Sequence, residues 1–319
     1  MATEGDGGRH WADMKERGAA WGPALMGLIY RVLGRTGCRI VATPVILYFY
    51  LAGRRQRLAS LDYLRRVWRF QGRPGRPGHR QAIRHFLAFG DSLIDKMEAW
   101  IGRIDRLQVD EIESDDFEAM RNDRRGTLIL SAHVGATEIV RAIASRHQKR
   151  RINILIHSPH AARYNALIQR YAPQSQVSLV QVSAFNVGTA AALSATIERG
   201  EWVVIMADRM PLKDTGRAIT ADFLGAPAAF PEGPFVLAAA LRCPVYTLFC
   251  YKQNGRYRSQ VSLLTDGVAL PRGQRAEGLQ QLVRKYVAEL QTLVLSAPYQ
   301  WFNFYAYWTT DGDASGNKH

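Results

Sequence analysis

Over the last two thirds of the chain, short apolar runs rich in β-branched residues alternate with stretches whose apolar positions recur at helical spacing. Segments 127–132, 151–157, 177–182, 201–207 and 245–251 have the composition of strands, and 138–147, 161–171, 186–199, 234–241 and 274–295 have the periodicity of helices. The alternation predicts an α/β fold, with a mainly parallel central sheet, helices on both faces and ligands at the carboxyl ends of the strands. His133 and Asp208 each fall at such an end. The first third is patterned differently. Residues 21–51 are apolar but interrupted by Arg31, Arg35 and Arg39. Neither piece offers the ~20 uninterrupted apolar residues of a spanning helix. The pattern predicts two half-inserted or interfacial helices, their arginines snorkelling, with Trp21, Tyr48 and Tyr50 at headgroup level. A buried helical hairpin is the competing reading. The expected organisation is a flexible N-terminus (1–20), a helical, basic, membrane-associated region (21–108), an α/β domain (109–308) and a disordered tail (309–319).

Charge sharpens that picture. The chain of 319 residues carries a formal net charge of +14 and a pI near 10.0, which calls for an anionic partner. Ten arginines and one acid, Asp62, lie within 54–84, a tract that includes GRPGRPG at 72–78. Beside an apolar anchor such a cluster suits an anionic membrane lipid surface, at roughly 1 kcal/mol per basic residue. No aromatic stacking motif accompanies the arginines, so nucleic acid is not expected as a partner, although a non-enzymatic basic membrane- or RNA-binding protein would share the charge. Cys38, Cys243 and Cys250 form no CxxC pair, which argues against a zinc site or a disulfide framework and suits a reducing, cytosol-facing location. No secretory signal is apparent, since Glu4 and Asp6 lie among the first residues. Neither GxGxxG nor GxxxxGK[ST] occurs, so dinucleotide and nucleoside triphosphate sites of the common kinds are not expected, and no cofactor or metal is implied.

The chemistry concentrates in 127–141, TLILSAHVGATEIVR, a strand, a turn and a helix. At 3.6 residues per turn His133 and Glu138 cannot meet within one helix. They can meet if His133 lies in the turn, eased by Gly135, and Glu138 in the first helical turn, where the dipole favours a carboxylate. A carboxylate on one imidazole nitrogen raises the basicity of the other, which can take a proton from a hydroxyl or thiol. A second candidate, Phe89-Gly90-Asp91-Ser92-Leu93, matches the signature of GDSL esterases with Ser92 as nucleophile. The surrounding helical periodicity and the lack of DxxH and GxND make Ser92 a helix-surface or cap residue instead.

The H-x4-E spacing resembles the H-x4-D/E motif of glycerolipid and lipid A acyltransferases. Later blocks follow in the same order as in the bacterial lipid A biosynthesis acyltransferases: a strand ending in Asp208-Arg209, then Phe223 to Ala228, then Pro231-Glu232-Gly233 opening a helix, then Pro244-Val245. Phe230 to Gly233 is also similar to the F-P-E-G block of glycerophosphate acyltransferases. The ending Trp301-Phe302-Asn303-Phe304, with Trp21-Gly22 and Tyr30 to Gly34, looks like the acyltransferases of aryl polyene clusters. Where lipid A enzymes have N-H-x-G-N-W-E, this chain has Ala132, Ala136 and Thr137. The resemblance implies a glycerolipid-acyltransferase-like fold at the cytoplasmic face of a bacterial inner membrane. It implies O-acyl transfer from acyl carrier protein or acyl-CoA to a hydroxyl of a membrane lipid, glycolipid or lipid-linked pigment. His133 would be the general base, held by Glu138. Gly135, Asp208, Arg209, Arg217, Glu232 and Gly233 would contact substrate, the two arginines through phosphate.

Overall fold

The computed structural model describes residues 21–100, 107–110, 112, 114–136, 150–156, 177–182, 187–210, 217–267 and 273–308. The sheet is built on β1 (Thr127–Ser131), whose sequence TLILS is apolar on both faces and buried throughout. That pattern suits a central parallel strand, covered on both sides. β1 lies between β4 (Trp202–Met206) and β7 (Val245–Gln253), and beyond β4 come β2 (Ile152–Ile156) and β3 (Val177–Gln181). These five strands are parallel. β8 (Arg256–Thr265) closes the edge antiparallel to β7. Asn254 and Gly255 join the two with φ of 51° and 81°, the left-handed pair that a two-residue hairpin turn demands. The mainly parallel α/β sheet was thus legible, whereas β8 was not. A second hairpin, β5 (Ala218–Phe223) with β6 (Ala226–Pro231), turns through Leu224-Gly225 in the same way.

Alternation along the strands sends neighbours to opposite cores. Leu128 and Leu130 of β1, with Val203 and Ile205 of β4, face the larger core. That core is formed with α2 (Arg54–Phe70), α5 (Val187–Glu198), α6 (Gly233–Leu241) and α7 (Arg275–Ser296). Ile129, Trp202 and Val204 face the other way, against Met120 of α4 (Asp115–Asn122). Ser114 caps α4 by accepting from the Phe117 amide at 3.0 Å, and Asp115, Asp116 and Glu118 complement the dipole of its first turn. Burying one large apolar side chain contributes about 1.5–3 kcal/mol, so the two-faced burial of the strands dominates the stability of the sheet.

The N-terminal segment is α1 (Trp21–Ala52), kinked at Gly34 (φ 65°, ψ −162°), followed by α2 and by α3 (His79–Trp100). The interruptions at Arg35 and Arg39 do not end the apolar surface. Arg35 turns onto Asp95 and Glu98 of α3, and Arg39 onto Asp91, so neither snorkels. Val32, Leu33, Ile40, Val45, Phe49 and Leu51 remain exposed on α1. Ile29–Ala52 is consequently long and apolar enough, by length and composition, to cross a membrane, and only 11% of its most apolar window is buried. This is compatible with the membrane association expected of the N-terminal region.

Candidate active site

The register of the sheet assembles the site. The last parallel pair between β1 and β4 is Ser131 with Met206. Two residues past each, His133 and Asp208 therefore leave adjacent strand ends side by side. His133 Nδ1 lies 2.8 Å from Asp208 Oδ1, and the His133 backbone N–H donates to Oδ2 at 3.1 Å. The indole N–H of Trp301 donates to the same Oδ2 at 3.0 Å, and the Tyr307 hydroxyl to the Asp208 carbonyl at 2.9 Å. A carboxylate only accepts, so Nδ1 carries the proton and Nε2 keeps its lone pair. The Asp208 side chain has 0% exposure and that of His133 40%, so the imidazole reaches the surface while its carboxylate partner is closed in. Burial alone would push the Asp208 carboxyl up. The His133 imidazole, the Arg209 guanidinium and the Trp301 indole overcome it and hold the group well below the usual carboxylate range.

The loop bearing His133 is fixed on two sides. The C-terminal segment runs antiparallel to it: Val134 bridges Trp301, Phe302 N–H donates to the His133 carbonyl at 3.1 Å, and Gly135 N–H to the Gln300 carbonyl at 2.8 Å. On the other side β7 presses so close that a Cβ on Gly135 (φ +52°) would sit 2.2 Å from the Cys250 carbonyl oxygen. Only glycine fits there.

Beneath this pairing lies His85 of α3. Its Nε2 meets the Trp301 carbonyl at 2.8 Å and its Nδ1 the Ser60 hydroxyl at 2.9 Å, so Nε2 bears the proton and Nδ1 accepts. Burial pushes the imidazole down to about 4, against the raising effect of the Trp301 carbonyl. A neutral buried imidazole stabilises the fold fully above its ordinary value near 6.5, and the contribution is lost as pH falls through 4. We expect the melting temperature to drop on acidification from pH 7 to 4.5, a loss on the order of 3 kcal/mol, and His85→Gln to show a flatter profile over that range. Thermal unfolding monitored by circular dichroism at several pH values measures both.

Of the residues expected from the sequence, His133, Gly135, Asp208 and Arg209 come together. Asp208, expected to touch substrate, is instead closed off, both its oxygens engaged by His133 and Trp301. Arg209 does not ion-pair with it but donates to the Phe302 carbonyl at 2.5 Å, with Tyr305 stacked nearby, its guanidinium carbon 5.8 Å from the ring centroid. Glu138, expected to hold His133, lies outside the described residues, as does the helix expected over 138–147. Arg217 and Glu232 meet through a backbone bond, Glu232 N–H to the Arg217 carbonyl at 2.9 Å, where the β5–β6 hairpin leads into α6. Neither they nor Gly233 is hydrogen-bonded to His133 among the described residues. Ser92 is buried within α3 and donates to the Phe89 carbonyl at 2.7 Å, so it is no esterase nucleophile. No group of three metal-ligating side chains occurs among the described residues. The residue that sequence reasoning missed is Trp301. Its signal was the W-F-N-F ending, which the sequence offered only as a likeness to the aryl polyene enzymes.

A mainly parallel sheet thus presents an imidazole, oriented by a buried carboxylate, at the carboxyl end of its central strand. Residues 83–310 match the bacterial lipid A biosynthesis acyltransferase family, and the chain belongs to that family. No curated relative matches the chain. It is an acyltransferase, using an acyl donor and a lipid acceptor, and its family is membrane-associated in bacteria, with which α1 is compatible.

Proposed function

We propose that the enzyme moves a fatty acyl group from the thioester of acyl carrier protein or CoA to a hydroxyl of a membrane lipid, glycolipid or lipid-linked pigment. The observation that supports this most is the His133 imidazole, tied by Nδ1 to a buried carboxylate while its side chain remains 40% exposed. Nε2 takes the proton of the acceptor hydroxyl as its oxygen attacks the thioester carbonyl. The tetrahedral oxyanion collapses, the C–S bond breaks, and the imidazolium returns the proton to the departing thiolate. Base catalysis of this kind contributes roughly 10²–10⁴-fold. The Gly135 amide is committed to the Gln300 carbonyl and is therefore not the donor that meets the oxyanion.

Arg209 and Arg217 bind phosphate of the donor or the acceptor, and Glu232 and Gly233 line the acceptor side. Glu138 adds a second negative charge that favours the imidazolium once Nε2 has taken the proton, without a hydrogen bond to Nε2. The arginines of 54–84 and the exposed face of α1 seat the protein on anionic lipid at the cytoplasmic face of the inner membrane. The likeness of 301–304 to the aryl polyene enzymes puts a lipid-linked pigment among the acceptors. Mass spectrometry of membrane lipids from cells with and without the protein tests the reading. One added O-acyl chain on a lipid is expected, and identical lipid profiles would overturn it.

A further inference from the structure

The carboxylate that orients the base is itself held in place, by a residue far along the chain. We infer that Trp301 is a positioning residue for His133, acting through Asp208; the inference rests on His133 being the base. Oδ1 of Asp208 serves His133 Nδ1, while Oδ2 accepts from the His133 amide and from the Trp301 indole. Were the indole absent, both remaining donors would belong to His133, and the carboxylate would be free to turn together with the residue it is meant to fix. The indole arrives from a different segment and therefore anchors the pair to the rest of the molecule.

Trp301 is built to be a rigid donor. It has 0% exposure, Tyr63, Tyr307 and Phe223 surround its ring at centroid distances of 5.0, 5.0 and 5.3 Å, and its carbonyl is held by His85. Packing alone does not explain where its N–H points. The buried Trp202 indole N–H makes no hydrogen bond among the described residues, and that of Trp308 settles on the Phe223 carbonyl. Trp301 alone among these three donates to a carboxylate, and that carboxylate is the partner of the site histidine. The other charged or titratable groups around Asp208 are Arg209 at the end of β4, Tyr286 of α7, and Tyr305 and Tyr307 of the C-terminal segment. None of them donates to its carboxylate oxygens.

Trp301→Phe keeps an aromatic ring and removes the N–H. Activity is read in the full-length protein as thiol release from a long-chain acyl-CoA or acyl carrier protein in the presence of membrane lipid extract. We expect kcat to fall about tenfold, as for loss of a hydrogen bond to a charged group, with KM for the thioester within about twofold. The acid limb of the pH–rate profile should move up, because the indole hydrogen bond stabilises the Asp208 carboxylate and its loss leaves more negative charge on the group facing His133. Tyr307→Phe is the structural control: it deletes a buried bond to the Asp208 backbone carbonyl and should lower stability without moving the acid limb. If Trp301→Phe does not fold, benzothienylalanine in place of Trp301 exchanges the N–H for sulfur at nearly the same shape and takes the same readout. An unmoved kcat and acid limb in the indole variants, or an equal displacement in Tyr307→Phe, would overturn the inference. An active His133→Ala enzyme would bring down the base itself, whereas an inactive one beside a normal Trp301→Phe enzyme would remove the role of Trp301 only.

Discussion

Asp208→Asn lowers kcat by about 10³ to 10⁴-fold while leaving the protein folded. The amide is nearly isosteric with the carboxylate, and its oxygen can still accept from the His133 backbone N–H and the Trp301 indole, the two donors on Oδ2. Its NH₂ group then faces His133 Nδ1. Two donors cannot share one hydrogen bond, so Nδ1 gives up its proton and Nε2 takes it. The nitrogen that must strip the acceptor hydroxyl thereby becomes a donor. Substrate affinity should change little, since Asp208 is fully buried. The substitution also alters acid stability. A depressed carboxyl group contributes stability above the ordinary aspartate range and loses it as pH falls through the folded value, so the wild type should be destabilised more steeply below pH 4 than Asp208→Asn. Steady-state kinetics with denaturation at graded pH checks both halves, and an Asn variant of near-normal kcat would remove Asp208 from the mechanism.

His133→Ala removes the base outright and should reduce turnover below detection while the melting temperature changes by only a few degrees. The His133 side chain is partly exposed, and the backbone bonds of its loop, to Gln300 and Phe302, do not involve the imidazole. Loss of the imidazole frees the buried Asp208 carboxylate of one partner, which costs about 1–3 kcal/mol, offset in part by its two remaining donors. Added imidazole should restore a fraction of the activity by occupying the vacated space. Full turnover in this variant would leave the site without its reagent.

The strands β1, β2, β3, β4 and β7 and the helices α6 and α7 were legible because a two-faced apolar run or a helical stripe is a local signal. Both hairpins escaped notice for local reasons as well. β8 reads RYRSQVSLLT, whose polar first half and the irregularity at Leu264, which turns into the opposite core from Val261, obscure the alternation, and β5–β6 was read only as a motif block. Ala and Pro dominate APAAFP, so propensity gives no hint of the strand that cross-strand pairing creates. At the site, His133 could be chosen from its place after a strand, and Asp208 likewise. Their partnership could not, because it depends on β1 and β4 being neighbours, a fact of strand order. The reading therefore sought the carboxylate for His133 five residues away on the same segment, where Glu138 lies. Trp301 is harder still: nothing in W-F-N-F says that one indole will cross to the carboxylate at the end of β4.

The short antiparallel pairing of 133–135 with 300–302 joins segments more than half the chain apart. Contacts of such long range form late in folding, since the entropy of closing the loop must be met before they yield anything. A molecule with its sheet complete and this last seam still open would have a histidine but no fixed partner for it. The geometry of the His133–Asp208 pair therefore depends on a contact that no local stretch of the chain can form by itself.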